Sequence, residues 1–305
     1  MIKATEKIWH NGKLIPWADA TVHIMAHVLH YGSSVFEGIR CYATERGPAI
    51  FRLDAHVERL FRSAGVYEME LPYERAQITD ACREVVRANE LGDCYIRPIA
   101  YLGCGSLSVF AKDCPVEVAI FAWTWGAYLG AGLHGGSKVM LSKWRKFDSG
   151  MMPTWAKACG QYINSALAVR EALKYGCDEA ILLDQHGNLA EGSGENLFLV
   201  KQGKIITNGE DAAILPGITR SSVLQIANDM GLQTEIRAMR PEEIFESEEV
   251  FFTGTAAEVT PVKEVDGKAI SGGEPGPITL RLQEAFLNAA RGKDPKYSAW
   301  LAPVD

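Results

Sequence analysis

An α+β chain in two domains is what the sequence predicts, and three observations predict it. The 305 residues are about twice the ~150 of a typical domain. Short β-rich runs alternate with amphipathic helical stretches in both halves, which favours mixed layers over a pure bundle or sandwich. Around 125–136 the composition changes to Gly126, Gly130, Gly132, Gly135 and Gly136, the chemistry of a connection rather than of an element. The predicted division is a small N-terminal domain over 1–125, an interdomain loop over 126–136 and a larger C-terminal domain over 137–305.

In the first domain, 49–53 reads as a strand, and Asp54 as the cap of a helix over 55–67 that places Val57, Leu60, Phe61 and Ala64 on one face. A second helix covers 73–90, with Ile78, Ala81, Cys82, Val85 and Val86 inward, and 95–102 and 116–123 follow as strands. The second domain opens with a strand over 138–143, a loop containing Pro153 and a helix over 159–174. Strands over 180–184, 196–200 and 204–207 are joined by turns at His186-Gly187-Asn188 and Gln202-Gly203. Pro216-Gly217 precedes a helix over 218–230, and a strand over 249–253 and a helix over 278–290 close the chain.

Composition narrows the function. Acidic residues outnumber basic ones, for a net charge of −7, so no footprint for a nucleic-acid backbone is present. No apolar stretch approaches the ~18 residues of a membrane span, and the first fifteen residues mix Lys3, Glu6, Lys7 and Lys13 with apolar ones, unlike a signal peptide. The seven cysteines are scattered without a Cys-x-x-Cys pair, so neither a disulfide framework nor a metal cluster is expected, and the reduced cytosol is the expected compartment.

Four segments carry candidate chemistry. Trp155-Ala156-Lys157-Ala158-Cys159-Gly160 puts one lysine among small or apolar neighbours; desolvated, its amine would be a nucleophile or base, and otherwise it is a surface lysine. Leu215-Pro216-Gly217-Ile218-Thr219-Arg220 starts a helix whose free N–H groups suit an anion, or is simply a capped helix. Gly254-Thr255-Ala256-Ala257 follows a strand and offers N–H groups and a hydroxyl, or is a tight turn. Glu191-Gly192-Ser193-Gly194-Glu195-Asn196 puts a carboxylate at the end of a hairpin strand, where it pairs with a protonated ring nitrogen if buried. A rival constellation, His23, His27 and His30, has helical spacing for a metal but lacks a His-Glu-x-x-His carboxylate, and packing or hydrogen bonding is the simpler role.

Taken together these segments resemble a known family. His30-Tyr31-Gly32-Ser33-Ser34-Val35-Phe36-Glu37-Gly38-Ile39-Arg40, Tyr95-Ile96-Arg97-Pro98, Trp125-Gly126-Ala127-Tyr128-Leu129-Gly130, and the stretches 157–162, 191–198, 215–220 and 254–262 are similar to the branched-chain amino-acid aminotransferases, class IV enzymes of pyridoxal-phosphate fold type IV. The likeness covers nearly the whole chain. It implies a small N-terminal α/β domain, a larger C-terminal domain with a pseudobarrel, and pyridoxal 5′-phosphate as cofactor. It also implies amino transfer from L-leucine, L-isoleucine or L-valine to 2-oxoglutarate.

The resemblance assigns roles. Lys157 would join the cofactor aldehyde covalently and shuttle the proton. Glu191 would hold the ring nitrogen protonated, Tyr162 would bond the phenolic oxygen, and Arg59, Leu215, Ile218, Thr219 and Thr255 would complete the cofactor and phosphate contacts. Tyr95 with Thr255 and Ala256 would clamp the α-carboxylate. Tyr31, Phe36, Gly38, Trp125, Tyr128 and Tyr162 would form the apolar cage, and Arg97, assisted by Tyr31, would take the distal carboxylate of glutamate. The family's sites lie between domains and are completed by a partner subunit, so a homodimer or dimer-based homohexamer is implied, with no nucleic-acid or membrane partner. D-amino-acid and R-selective amine aminotransferases and aminodeoxychorismate lyase share the fold and differ in the pocket. The chain departs from the family pattern at Cys159, at Gln161, and in the loops 103–112 and 143–154.

Overall fold

Asn11-Gly12 joins Lys7–His10 (β1) to Lys13–Pro16 (β2), and both turn residues have positive φ, 47° and 89°, as a two-residue turn between twisted antiparallel strands requires. After the short helix His27–Tyr31 (α1) come Ser34–Phe36 (β3), Ile39–Thr44 (β4) and Gly47–Phe51 (β5). Two helices follow, Leu53–Val66 (α2) and Arg75–Ala88 (α3), then the long strands Cys94–Leu102 (β6) and Val116–Trp123 (β7). The eight-stranded antiparallel sheet runs from the C-terminal strand Leu301–Pro303 through β5, β4, β6, β7 and β1 to β2, with β3 also on β6.

Strand alternation divides the labour of this sheet. Ile96, Ala100, Val118, Ile120 and Ala122 share a core with Val57, Leu60, Ile78, Ala81, Val85 and Val86 of the two helices; each large aliphatic side chain so buried contributes about 1.5–3 kcal/mol. The alternate residues Tyr95, Arg97, Phe121 and Trp123 stand on the opposite face, because Tyr95 pairs with Trp123 and Arg97 with Phe121.

Helix starts differ from the sequence expectation. Asp54 is not the cap of α2 but lies in its first turn; the residue before the helix is Arg52, in the left-handed region at φ 54°, with its N–H on the Trp300 carbonyl at 2.6 Å. An acid in the first turn still favours the positive end of the helix dipole. In α3, Glu74 and Gln77 form a reciprocal capping box, so the helix begins at Arg75.

The computed structural model describes residues 4–111, 113–125, 135–209 and 211–305. Contacts group the chain into two units: the residues up to Trp125 with Ala156–Gly160 and Ala289–Asp305, and the remainder. The break at Trp125 is where the glycine-rich composition begins. The expected 137–305 domain, by contrast, gives up two pieces to the first unit, one of which carries Lys157.

In the second unit Ser137–Arg145 (β8) leads to Tyr162–Lys174 (α4), which is preceded by a 3₁₀ turn, Cys159–Gln161. Glu179–Leu183 (β9), Leu189–Gly192 (β10), Asn196–Lys201 (β11) and Lys204–Thr207 (β12) follow as hairpins. Then come Ile218–Asp229 (α5), Thr234–Ile236 (β13), Glu243–Glu246 (α6), Glu249–Gly254 (β14), Glu258–Val265 (β15), Lys268–Ala269 (β16) and Pro277–Ala290 (α7). Strands β10, β9, β8, β15, β14 and β11 pair in that order and β11 returns to β10, closing a six-strand barrel. Val139, Ile181, Leu197, Leu199, Phe252 and Val262 form one of its cores, and Phe198 stacks on Phe251 at 4.8 Å. Glu249 caps α7 from outside the helix, accepting from the N–H groups of Ile278 and Thr279 at 2.9 and 2.7 Å.

Among the described residues no helix is long and apolar enough to cross a membrane. All seven cysteines are free.

Candidate active site

One stripe of α2 builds the surroundings of Lys157. His56, Arg59 and Ser63 follow at spacings of three and four, so they share a helix face, and all three are buried. Ser63 Oγ accepts the Lys157 N–H at 2.9 Å, and the Lys157 carbonyl accepts the Phe36 N–H at 3.0 Å. Ala158 bridges to Val35 of β3. These bonds fix the backbone, and the ammonium nitrogen lies 4.9 Å from the centre of the Phe36 ring.

Glu37 lies between β3 and β4 with no exposed surface. Its Oε1 accepts from Arg59 Nε at 2.7 Å, and its Oε2 from Arg59 Nη2 at 2.8 Å and from His56 Nδ1 at 2.7 Å. Burial alone would raise this carboxyl, but the guanidinium and the imidazole hold it well below the usual carboxylate range. Burial lowers His56 despite the Glu37 hydrogen bond and charge, so the imidazole is neutral near pH 7 and donates through Nδ1. The acid is thus spent on Arg59. Lys157 feels burial first and the Arg59 charge second, with Arg97 adding to them and Glu37 and Tyr95 opposing, and its amine is pushed down to about 8.

Arg97 occupies the aromatic face of the same unit. Its guanidinium carbon lies 4.6 Å from the Phe36 ring centre, 5.6 Å from Tyr95 and 5.8 Å from Trp123, in the range of cation–π attraction. Trp125 meets Tyr95 edge-on at 4.7 Å. Tyr95 Oη sits directly over the Gly38 Cα, where a β-carbon would come within 1.8 Å of it. Tyr31 does not join this group: it is half exposed, donates its hydroxyl to the Leu107 carbonyl at 2.7 Å and stacks on His27 at 4.5 Å. Within this chain the Tyr31 hydroxyl donates to a backbone carbonyl rather than meeting Arg97. Tyr128 lies outside the described residues.

In the second unit, Glu191 on β10 is the centre of a separate cluster. Oε1 meets Lys146 Nζ at 2.7 Å, and Oε2 accepts from Asn196 Nδ2 and from the Leu215 N–H, both at 3.1 Å. Asn196 also donates to the Leu215 carbonyl at 2.9 Å, tying the carboxylate to the start of α5. Burial works against the charge on Lys146, but the Glu191 carboxylate more than offsets it and raises the amine above its ordinary value. Gly217 precedes α5 with no side-chain cap; a β-carbon there would meet Asn196 Oδ1 at 2.0 Å, so only glycine allows this approach. The helix start carries Ile218 and Thr219, both buried, and its first-turn N–H groups point out of the helix end. Thr253, opposite Asn196 on β14, has a buried hydroxyl without a partner among the described residues. Thr255 and Ala256 form the turn after β14, and Tyr162 opens α4.

Sequence reasoning missed Glu37, His56 and Lys146. An acid inside the apolar run Val35-Phe36-Glu37-Gly38-Ile39, and a histidine three residues before Arg59 on the buried face of α2, were the available signals. Lys146 left none, since its loop has no periodicity. The three histidines of the rival constellation each hold local structure: His27 bonds Ser33 Oγ and the Ser108 carbonyl, His30 the Ile24 carbonyl, and His23 accepts the Met25 N–H.

The Amino-transferase class IV family model matches residues 34–265. The chain is similar to the branched-chain-amino-acid aminotransferase of Pseudomonas aeruginosa, 46% identical over 294 residues, covering 96% of this chain and 95% of that one. Among solved structures, the branched-chain amino acid aminotransferase of Escherichia coli superposes with a TM-score of 0.96 at 40% identity, covering 99% of this chain and 100% of that one. A T.th. branched-chain amino acid aminotransferase complexed with N-(5′-phosphopyridoxyl)-L-glutamate gives a TM-score of 0.94 at 45% identity, covering 100% of both chains. A family match over three quarters of the chain, with such relatives along its whole length, means that this chain belongs to the class IV aminotransferases.

Proposed function

We propose that this chain transfers the amino group of L-leucine, L-isoleucine or L-valine to 2-oxoglutarate, giving the branched-chain 2-oxo acid and L-glutamate, with pyridoxal 5′-phosphate as cofactor. The observation that carries this reading is the Lys157 amine, desolvated and beside Arg59 so that it is neutral above about pH 8. The names of the similar enzymes support the substrates.

The residues present fit the cofactor. A lowered amine suits its aldehyde; a buried carboxylate with two hydrogen-bond donors and a lysine beside it suits its ring nitrogen; and a glycine-led helix start suits its phosphoryl dianion. When bound, the cofactor supplies an electrophilic carbon and a ring that delocalises the electron pair left at the substrate Cα. The Lys157 amine would take the proton from the substrate Cα and deliver it to the carbon that was the cofactor's aldehyde. Glu191 holds a proton at the ring nitrogen. Ile218 and Thr219 N–H groups, the Thr255 hydroxyl and Arg59 bind the phosphoryl oxygens, with Leu215 at the same helix start, and Tyr162 donates to the phenolic oxygen. Tyr95, with the N–H groups of Thr255 and Ala256, orients the α-carboxylate. Gly38 leaves the room that the Tyr95 hydroxyl needs.

Phe36, Tyr95 and Trp125 present rings to an alkyl side chain, while Arg97 lacks any carboxylate partner among the described residues. One pocket can then accept leucine by exclusion of water and glutamate by an Arg–carboxylate pair. A homodimer or dimer-based homohexamer is supported by the exposed apolar side chains Ile24, Met25, Leu29, Val109 and Phe110, and light scattering reads the assembly directly. The free cysteines fit a reduced cytosol.

The deciding experiment follows the cofactor's absorption in single half-reactions with L-leucine, L-valine, L-glutamate, D-alanine and an R-amine. Conversion by the branched-chain amino acids and L-glutamate is expected. Conversion only by the D-amino acid or the amine overturns the substrate assignment.

A further inference from the structure

The geometry points to Trp123 as a specificity-determining residue: its indole N–H is a second donor, beside Arg97, for the distal carboxylate of the dicarboxylic substrate. This deepens the reading of the Arg97 pocket and rests on it.

Trp123 and Arg97 share a sheet face by register. Tyr95 stands opposite Trp123 and Arg97 opposite Phe121 on paired antiparallel strands, so the four side chains project to one side while Ile96, Ile120 and Ala122 fill the core on the other. Trp123 is only 3% exposed, yet among the described residues its Nε1 has no hydrogen-bond partner, and the same is true of the buried Arg97 Nε. Buried donors almost always find an acceptor, so an orphan calls for an explanation. Here there are two, and the Arg97 guanidinium carbon lies 5.8 Å from the Trp123 ring. A carboxylate has two oxygens with free lone pairs and can accept from both.

The indole is also held still. Phe121 stacks on it at 5.6 Å and 23°, Tyr95 lies at 5.1 Å and Trp125 at 5.4 Å. A fixed donor loses little entropy on binding. Because a branched alkyl side chain has no acceptor, this N–H affects one half of the reaction only. A site built to hydrogen-bond a substrate discriminates strongly against an analogue that lacks the matching group, which is how one pocket can weigh its two substrates separately.

The test is Trp123→Phe, which keeps an aromatic ring and removes the N–H. In the holoenzyme the KM for L-glutamate and 2-oxoglutarate is expected to rise about tenfold or more, as for loss of a hydrogen bond to a charged group, while the KM for L-leucine stays within about twofold. Glutarate, an unreactive dicarboxylate, is expected to bind the variant about tenfold more weakly by calorimetry, and 4-methylvaleric acid equally well. The leucine half-reaction reports that the variant is folded. Unchanged glutarate binding, or equal losses for leucine and glutamate, overturns the assignment of Trp123. Wild-type protein that neither converts L-glutamate nor binds glutarate overturns the dual-substrate reading along with it.

Discussion

Lys157 and Lys146 are both shielded from water, yet they are driven in opposite directions. Lys157 has Arg59 and Arg97 for neighbours, and the nearby carboxylate of Glu37 is engaged by Arg59 and His56; its amine falls to about 8. Lys146 has Glu191 at 2.7 Å and is raised. Burial is the largest influence on both, and the neighbour decides the sign. A buried lysine becomes a nucleophile where its surroundings supply cations and their acid is already committed.

The comparison can be broken most severely at the lysines themselves. Lys157→Ala is expected to lower transamination more than about 10³-fold, as for loss of a nucleophile, whereas Lys146→Met should retain measurable turnover; a steady-state assay at saturating leucine that finds the two equally impaired removes the distinction. Next in size is Glu37→Gln. Removing one member of a buried ion pair costs about 3–5 kcal/mol, to be read from urea unfolding at pH 7. Because the folded carboxyl lies below its unfolded value of about 4.5, its stabilisation is complete above that pH and lost as pH falls through and below it. The variant should show a flatter acid limb.

A smaller effect of opposite sign is expected for cofactor-free Lys157→Met. The folded amine titrates near 8 and the unfolded one near 10.5, so between these values the unfolded chain holds more protons and wild-type stability rises with pH. The variant escapes the penalty and should be about 1–3 kcal/mol more stable at pH 7, with the gain shrinking toward pH 10.5 in thermal melts. The finest test is Glu191→Gln, which leaves Lys146 with burial but no acid. Acylation of Lys146 by a neutral reagent at about pH 8, followed by peptide mapping, should quicken by about tenfold; an unchanged rate would mean that Glu191 is not what raises it.

How much of this was legible depended on periodicity and local chemistry. Helices α2, α3 and α5 and strands β6, β7 and β12 announced themselves through apolar spacing and turn residues. The N-terminal hairpin was overlooked although Asn11-Gly12 is a strong two-residue turn signal. Strand β10 is four residues long and closes the barrel through a single paired position, Glu191 with Asn196; such a closure is long-range and leaves no local mark. The same holds in the site. Lys157 and Glu191 stood out beside glycines and small residues, while the partners that set their chemistry, Glu37 with His56 and Lys146, come from segments 100 or more and 45 residues away in sequence.

Gly38 sets a boundary for anyone reshaping this enzyme. The phenol of Tyr95 occupies the volume that any other residue's first side-chain atom would need, so even alanine would swing the ring out of line and with it the edge-on packing of Trp125. Library diversity aimed at new amino acids is better spent at positions 36 and 123, whose rings face the Arg97 guanidinium.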